Sequence, residues 1–285
     1  MTKKNYRILR PALLITVTVL TVLTYAASAK LRGSKTADAK TQNLANPSSV
    51  KPAAYVRRSS LSPKLVWHLN ALGDRLEKPG RERLSITGTL ARAKDSQTEA
   101  VVSVFEFPDR LRLTIQKGAQ TRVILFDGEP ARSAANSLDT AEQDLIETLV
   151  YGTAEHFFAT QMQGMATRFL GSRFRIDDGS SADYSGPYYE VYKVADRVKT
   201  SVDEREQLKL YYFNSETLLL ERVSYEINRN GSIVNVEERI GGWTKEQDQQ
   251  VARRIERFEN GESIFVLAVH TSALSARADD GIFAN

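Results

Sequence analysis

The 285-residue sequence contains no cysteine. Disulfides, thiolate nucleophiles, zinc–thiolate sites and a lipidated lipoprotein-type cysteine are therefore excluded. Histidine is scarce, with only His68, His156 and His270. None has a second His or Cys at ligand spacing, so each reads as a structural or surface residue. No G-x-S-x-G, H-E-x-x-H, G-x-G-x-x-G or phosphate-binding loop occurs. No metal or cofactor is implied, and no residue set supports an enzyme. The acidic run Asp177-Asp178-Gly179, with Asp183 beyond it, lacks the alternating oxygen ligands of a calcium loop and reads as a turn. Glu237 and Glu238 are neighbours on a strand, point to opposite faces and do not form a carboxylate pair.

What is present first is a leader. Lys3, Lys4, Arg7 and Arg10 form a basic start without a twin-arginine pair, and Pro11 to Ala29 carries no charge. Ala27-Ser28-Ala29 fits a small-x-small cleavage pattern. The apolar stretch also approaches the roughly 20 residues of a membrane span, so it is either a cleaved signal or an anchor that tethers the chain to a membrane. Both readings export the rest, to the periplasm or to the periplasmic face of the inner membrane. Residues 30–62 form a basic linker rich in Ala, Ser, Lys, Asn and Pro, with no hydrophobic period; such composition does not fold by itself. The pI near 9.1 belongs to these segments. Residues 1–62 hold eleven Lys or Arg and one acid, leaving 28 basic and 34 acidic residues in 63–285. The domain is acidic, which excludes the basic face of a nucleic-acid binder.

The remainder reads as one domain, residues 63–275, followed by a loose tail, 276–285. Ser62 and Pro63 open a first helix, expected to run to Lys78, with Leu65, Leu69, Leu72 and Leu76 as one apolar stripe. Strands follow over Arg83–Ala93, Ala100–Phe107, Arg110–Lys117 and Thr121–Phe126, and Asp127-Gly128 signals a hairpin. The period then changes. Asp139 and Glu142 make a capping box, and Leu145, Ile146, Leu149 and Val150 give a helical stripe that Gly152 can close. Thr153 caps a second helix, expected to carry Phe158, Met162, Met165 and Phe169 on one side and to stop at Gly171. The helical insertion thus spans 138–170.

A second meander covers Pro187–Arg197, Gln207–Phe213, Leu218–Asn228, Ser232–Ile240, Ala252–Phe258 and Ser263–Thr271. Asn230-Gly231 and Asn260-Gly261 are its strongest hairpin signals. Short turns force antiparallel pairing. The expected fold class is mainly β with α: an open antiparallel β-barrel, a meander of about eleven strands, with a first helix and a helical insertion packed over or into the concave face. Such a curled sheet either fills itself or encloses a pocket. The candidate cavity residues are Leu84, Ile86, Phe105, Phe107, Leu111 and Leu113 from the first meander, Phe158, Met162 and Met165 from the insertion, and Tyr212 from the second.

The order of elements resembles the LolA/LolB-like superfamily of envelope proteins, with its lipoprotein carriers and RseB-type sensors. The resemblance rests on the first helix, on Phe105-Glu106-Phe107-Pro108-Asp109-Arg110-Leu111-Arg112 and on Phe126-Asp127-Gly128. Further on it includes Leu210-Tyr211-Tyr212-Phe213-Asn214, Leu218 to Val223 and Gly242-Trp243. It covers most of 63–273, and its motifs are turns and strand edges. The strand after Asp127-Gly128 lacks the usual aromatic pattern, and the insertion is longer than a simple lid. The resemblance implies a non-enzymatic envelope protein with an apolar cavity under helices, holding a lipid acyl chain or a lipoprotein. The alternative is an envelope sensory or interaction domain with a filled core, meeting a protein partner through 138–170.

Overall fold

A computed structural model describes residues 57–73, 75–108, 110–127, 132–133, 138–162, 164–174, 186–199, 204–278 and 281–283. The leader, the linker up to residue 56, Gly128 of the expected hairpin and the Asp177–Asp183 cluster lie outside the described residues. The first meander comprises β1 (Arg83–Arg92), β2 (Thr98–Glu106), β3 (Arg110–Lys117), β4 (Gln120–Asp127) and the short β5 (Arg132–Ser133). The helices are α1 (Pro63–Leu72), α2 (Thr140–Tyr151) and α3 (Ala154–Met162). The second meander comprises β6 (Thr167–Phe174), β7 (Tyr189–Lys199), β8 (Glu204–Asn214), β9 (Leu220–Arg229) and β10 (Ser232–Gly241). A ribbon, β11 (Thr244–Glu246) and β12 (Gln249–Val251), precedes β13 (Arg254–Glu259) and β14 (Glu262–Ser275).

Twelve of these strands form one sheet in the order β5-β4-β3-β2-β1-β14-β13-β10-β9-β8-β7-β6. Its neighbours pair antiparallel, and its two ends, β5 and β6, do not pair with each other. The open antiparallel barrel expected from the sequence is therefore what forms. The strand number exceeds the expected eleven because β5, β6 and the ribbon carry no clear alternation. Both Asn-Gly hairpins form as two-residue turns. Arg229 pairs with Ser232 across Asn230 and Gly231 (φ 54° and 84°), and Glu259 with Glu262 across Asn260 and Gly261 (φ 50° and 85°). Strict alternation in β3 buries Leu111, Leu113 and Ile115 on the face that the helices cover.

Three expectations are corrected. The first helix ends at Leu72 rather than Lys78. Gly73 takes φ 106°, and the following turn is fastened by Gln249, whose Oε1 accepts from the Arg75 amide at 2.8 Å. Leu76 is still buried as the fourth member of the stripe. The insertion is helical only to Met162. Gly164 at φ 70° closes α3, its amide donating to Gln161 O while the Met165 amide donates to Thr160 O, the pair of bonds of a Schellman cap. Met165 then lies in a connector, and Phe169 lies on β6 opposite Tyr192.

The tail, expected to be loose, is docked where it is described. Arg277 donates to Phe107 O at 2.8 Å, and Ala278 O accepts from Arg83 at 2.9 Å. Phe283 is buried under Arg110. Glu106, fully buried on the sheet face opposite the helices, anchors this region through Arg83, Arg110 and Arg277. The docking signal is Glu106 itself, since a charge without exposure needs cations from elsewhere in the chain.

β1 and β14 join the two meanders at the middle of the sheet. Their register shifts between Thr87 and Gly88, and a Cβ at Gly88 would lie 2.3 Å from the Ala268 carbonyl oxygen. Gly88→Ala should therefore lower stability by about 1–3 kcal/mol through overpacking, read as a lower midpoint in urea. An unchanged midpoint would contradict this strand contact.

Candidate functional site

Among the described residues, an apolar cavity of about 80 Å³ lies between the first meander and the α2–α3 junction. Four candidate residues meet there: Leu84 and Ile86 from β1, Phe105 from β2 and Leu111 from β3. They share a face because strand side chains alternate with period two. The rest of the lining includes Leu149 of α2 and the α2–α3 junction Gly152–Ala154, Ile240, Ile255 and Val269 from other strands of the same sheet, and Val251, Trp243, Arg75 and Glu155.

The other candidates lie elsewhere. Phe107 and Leu113 are buried in the core but do not line the cavity. Phe158 is fully buried beside Phe157 and Phe213, with ring centroids 5.4 and 6.4 Å away. The Met162 side chain lies outside the described residues, and Met165 is half-buried on its connector. Tyr212 is misassigned. Along β8, Lys209, Tyr211 and Phe213 face the helices, which puts Tyr212 on the other face, beside Tyr189 and Ser224. Gly242-Trp243 already stood out as a motif. Arg75 had no signal of its own, since it follows the unforeseen end of α1.

Two buried ionic clusters hold the helix pair over the sheet. α2 turns Asp144, Glu147, Thr148 and Tyr151 downward at helical spacing, alongside its apolar stripe. The fully buried Arg257 of β13 rises to meet them. It donates to Asp144 at 3.0 Å, to the Tyr225 hydroxyl at 3.0 Å and to Glu259 at 3.1 Å, with Glu147 and Glu238 at 3.6 and 3.7 Å. Arg229 adds a 2.7 Å pair to Asp144, and Arg205 reaches Glu147 at 3.2 Å. Thr148 and Tyr225 each donate to Glu238 at 2.8 Å. Burial raises the Asp144 carboxyl to about 6 against the pull of Arg257 and Arg229. Burial also disfavours the Arg257 cation, but Tyr225, Asp144, Glu147 and Glu238 together hold it firmly charged.

The second cluster sits below the junction. Asp196 of β7 accepts from His156 of α3 at 2.9 Å and from Lys209 of β8 at 3.2 Å. Lys209 and Tyr211 both donate to Tyr151 O at the end of α2, at 3.1 and 3.0 Å. Burial alone would raise Asp196, but Lys209 and His156 keep it well below the usual carboxylate range. Between the clusters, Gly152 rests against Glu238: a Cβ there would lie 1.9 Å from Glu238 Oε2. Gly152 is thus required for close approach, its φ of −95° being open to any residue. His68 is structural too, bridging Glu190 (3.0 Å) and Leu218 O (2.9 Å), and burial lowers its pKa.

Arg257→Met removes the buried cation shared by Asp144, Glu147, Glu238 and Glu259, leaving Asp144 and Glu259 with Arg229 and Glu147 with Arg205. It should cost about 3–5 kcal/mol at pH 7.5. The loss should shrink at pH 5, where the Asp144 carboxyl, raised to about 6, takes up a proton in the folded state. Asp144→Asn tests the sign separately. The folded pKa of Asp144 lies above that of a free aspartate, so its ionisation removes stability as pH rises from about 4 to about 6. The Asn variant should cost less than Arg257→Met and flatten the stability profile in that window. Urea titrations across pH read both; a pH-independent loss for Arg257→Met would remove the ionic account.

No protein-family model and no curated protein matches the sequence. Solved structures do match the fold. A LolA superfamily protein from Nitrosomonas europaea superposes with a TM-score of 0.53 at 13% identity, over 79% of this chain and 99% of its own. An outer membrane lipoprotein-sorting protein domain from Vibrio parahaemolyticus aligns with a TM-score of 0.46 at 10% identity, over 78% and 95%. At such identities the likeness is one of architecture. The chain shares its fold with that LolA superfamily protein from Nitrosomonas europaea.

Proposed function

We propose that this is a non-enzymatic binding protein of the cell envelope that holds an acyl chain, alone or as part of a lipoprotein anchor, under the α2–α3 junction. The observation that carries the reading is the apolar cavity lined by Leu84, Ile86, Phe105 and Leu111. The fold likeness supports it, because carriers with this architecture hold their ligands in an apolar cavity beneath helices. The leader supports the envelope location, since both of its readings export the domain.

The cavity's size favours a second reading. About 80 Å³ is well below the roughly 300–1,000 Å³ of pockets that bury a drug-sized ligand. A core this nearly filled also suits an envelope sensory or interaction domain. Nine of the twelve α2 residues are buried, however. A partner reaching the insertion would meet the β6 edge, where Phe169 and Leu170 are exposed, rather than α2.

Native mass spectrometry of protein purified from envelope extracts separates the two. The carrier reading expects one acyl-lipid adduct per chain, lost in Ile86→Trp, which fills the cavity. A bare mass, together with no uptake of a pyrene-labelled acyl ester, would overturn it in favour of the filled-core reading.

A further inference from the structure

The two edges of the open sheet are built differently. β5 is two residues long, whereas β6 runs from Thr167 to Phe174 and pairs with β7 alone. The register sets Arg168 opposite Lys193 and Phe169 opposite Tyr192. Two residues before Arg168, Ala166 O accepts from the Ala195 amide, so the peptide groups of Ala166 and Arg168 turn toward β7. Those of Thr167 and Phe169 alternate with them and point out of the sheet, where no backbone partner meets them among the described residues. The pairing breaks at Leu170, which the register skips between Phe169 and Gly171. The edge is thus open over a short, regular length.

Its side chains carry an unbalanced charge. Phe169 and Tyr192 stack at 5.1 Å on the face that the helices cover. Arg168 and Lys193, one residue away on each strand, therefore share the other face. Arg168 is exposed and Lys193 half-buried, and neither has an ion-pair partner among the described residues. Like charges directly opposite each other destabilise a strand pair. Arg197, further along β7, has Glu206 across from it on β8, but the residue across from Lys193 is Leu210. The row that begins at Arg168 therefore holds two cations and no acid.

These features select an occupant. An added strand would hydrogen-bond to Thr167 and Phe169 and lay one residue beside Arg168. A carboxylate there offsets the repulsion between Arg168 and Lys193. The residues flanking it would fall on the opposite face, beside Phe169, which is 39% exposed and suits an apolar neighbour. A second copy of β6 is the poorer occupant, because it brings another Arg168 to an edge already rich in positive charge.

We propose that the β6 edge takes up an extended acidic segment of a partner protein as an added strand, with a carboxylate set against Arg168 and apolar residues on either side of it. The proposal rests on the interaction reading above and deepens it, and it holds whether the cavity is empty or filled.

Fluorescence anisotropy tests it, with a capped, labelled peptide of alternating Val and Glu, about eight residues long, titrated with the purified protein at pH 7.5. The peptide should bind at least about fivefold tighter than its Val-Lys counterpart, the worth of one cross-strand charge pair. Salt should narrow the difference. Arg168→Glu should reverse the order of the two peptides, which a general loss of folding does not do. N-methylation of one alternate set of peptide nitrogens should abolish binding, and of the other set should leave it, since only alternate amides of an added strand face its neighbour. An order unchanged by Arg168→Glu would overturn the proposal. So would equal effects of the two N-methylated sets, which mean contact by charge alone, or no binding of either peptide. Self-association that excludes the peptide, seen by analytical ultracentrifugation, would give the edge to a second copy instead. All these outcomes leave the interaction reading itself to the native mass measurement, which does not involve β6.

Discussion

The architecture depends on Arg257, a fully buried cation placed beneath a helix that brings two carboxylates of its own to meet it. An open sheet twelve strands wide needs a cover on its concave face, and α2 and α3 provide it. Apolar burial pulls the pair onto the sheet without choosing where it sits, because a hydrophobic contact has no direction. The guanidinium fork does choose. It joins Asp144 on α2 to Tyr225 on β9 and to Glu259 on its own strand β13, so the helix is located against two strands at once. Asp196 repeats the device at the other end of the junction, with His156 and Lys209. Such clusters are weak sources of net stability and strong sources of position, since a displaced helix leaves charges unpaired in the interior.

That division of labour explains the cavity. With the helix pair held at both ends by ionic contacts, the space under Gly152 is bounded on one side by the first meander and on the other by the roof. Leu84, Ile86, Phe105 and Leu111 reach upward, but the roof is not free to settle onto them. A small void persists where a purely apolar cover would collapse. Gly152 extends the same logic, because only a residue without a side chain lets the junction descend as far as Glu238.

Much of this was legible in the residues. Asn230-Gly231 and Asn260-Gly261 form the turns their backbone freedom predicts. The box of Asp139 and Glu142 closes as expected, with bonds of 2.8 and 3.0 Å. The even alternation of Arg110–Lys117 sorts its faces correctly. What was illegible has physical causes. Tyr211, Tyr212 and Phe213 put aromatics on both faces of β8, and periodicity does not choose between them; only the partners of Lys209 do. Phe169 continues the spacing of Phe158 and Met162, which made a strand look like the end of a helix until Gly164 broke it. Asp144, Glu147 and Thr148 lie outside the apolar stripe of Leu145, Ile146, Leu149 and Val150, and a charge in sequence gives no sign of its burial until a buried partner is found. Arg257 shares its strand face with Ile255, and a lone cation on an inward position was the one local sign of the cluster.

The seam between β1 and β14 carries a further consequence. The first and last long strands of the domain are neighbours at the centre of the sheet, whereas β5 and β6, from the middle of the chain, form its edges. Each meander is assembled from local hairpins, which form quickly, but joining them waits on a contact between residues 83–92 and 265–275. Contacts of such long range dominate the folding time of β proteins. Arg277, which lies beyond β14, is among the residues that seal Glu106. The domain therefore lacks its central pairing until β14 has been made. Until then the two meanders are half-sheets whose inner edges, β1 and β13, have no strand between them.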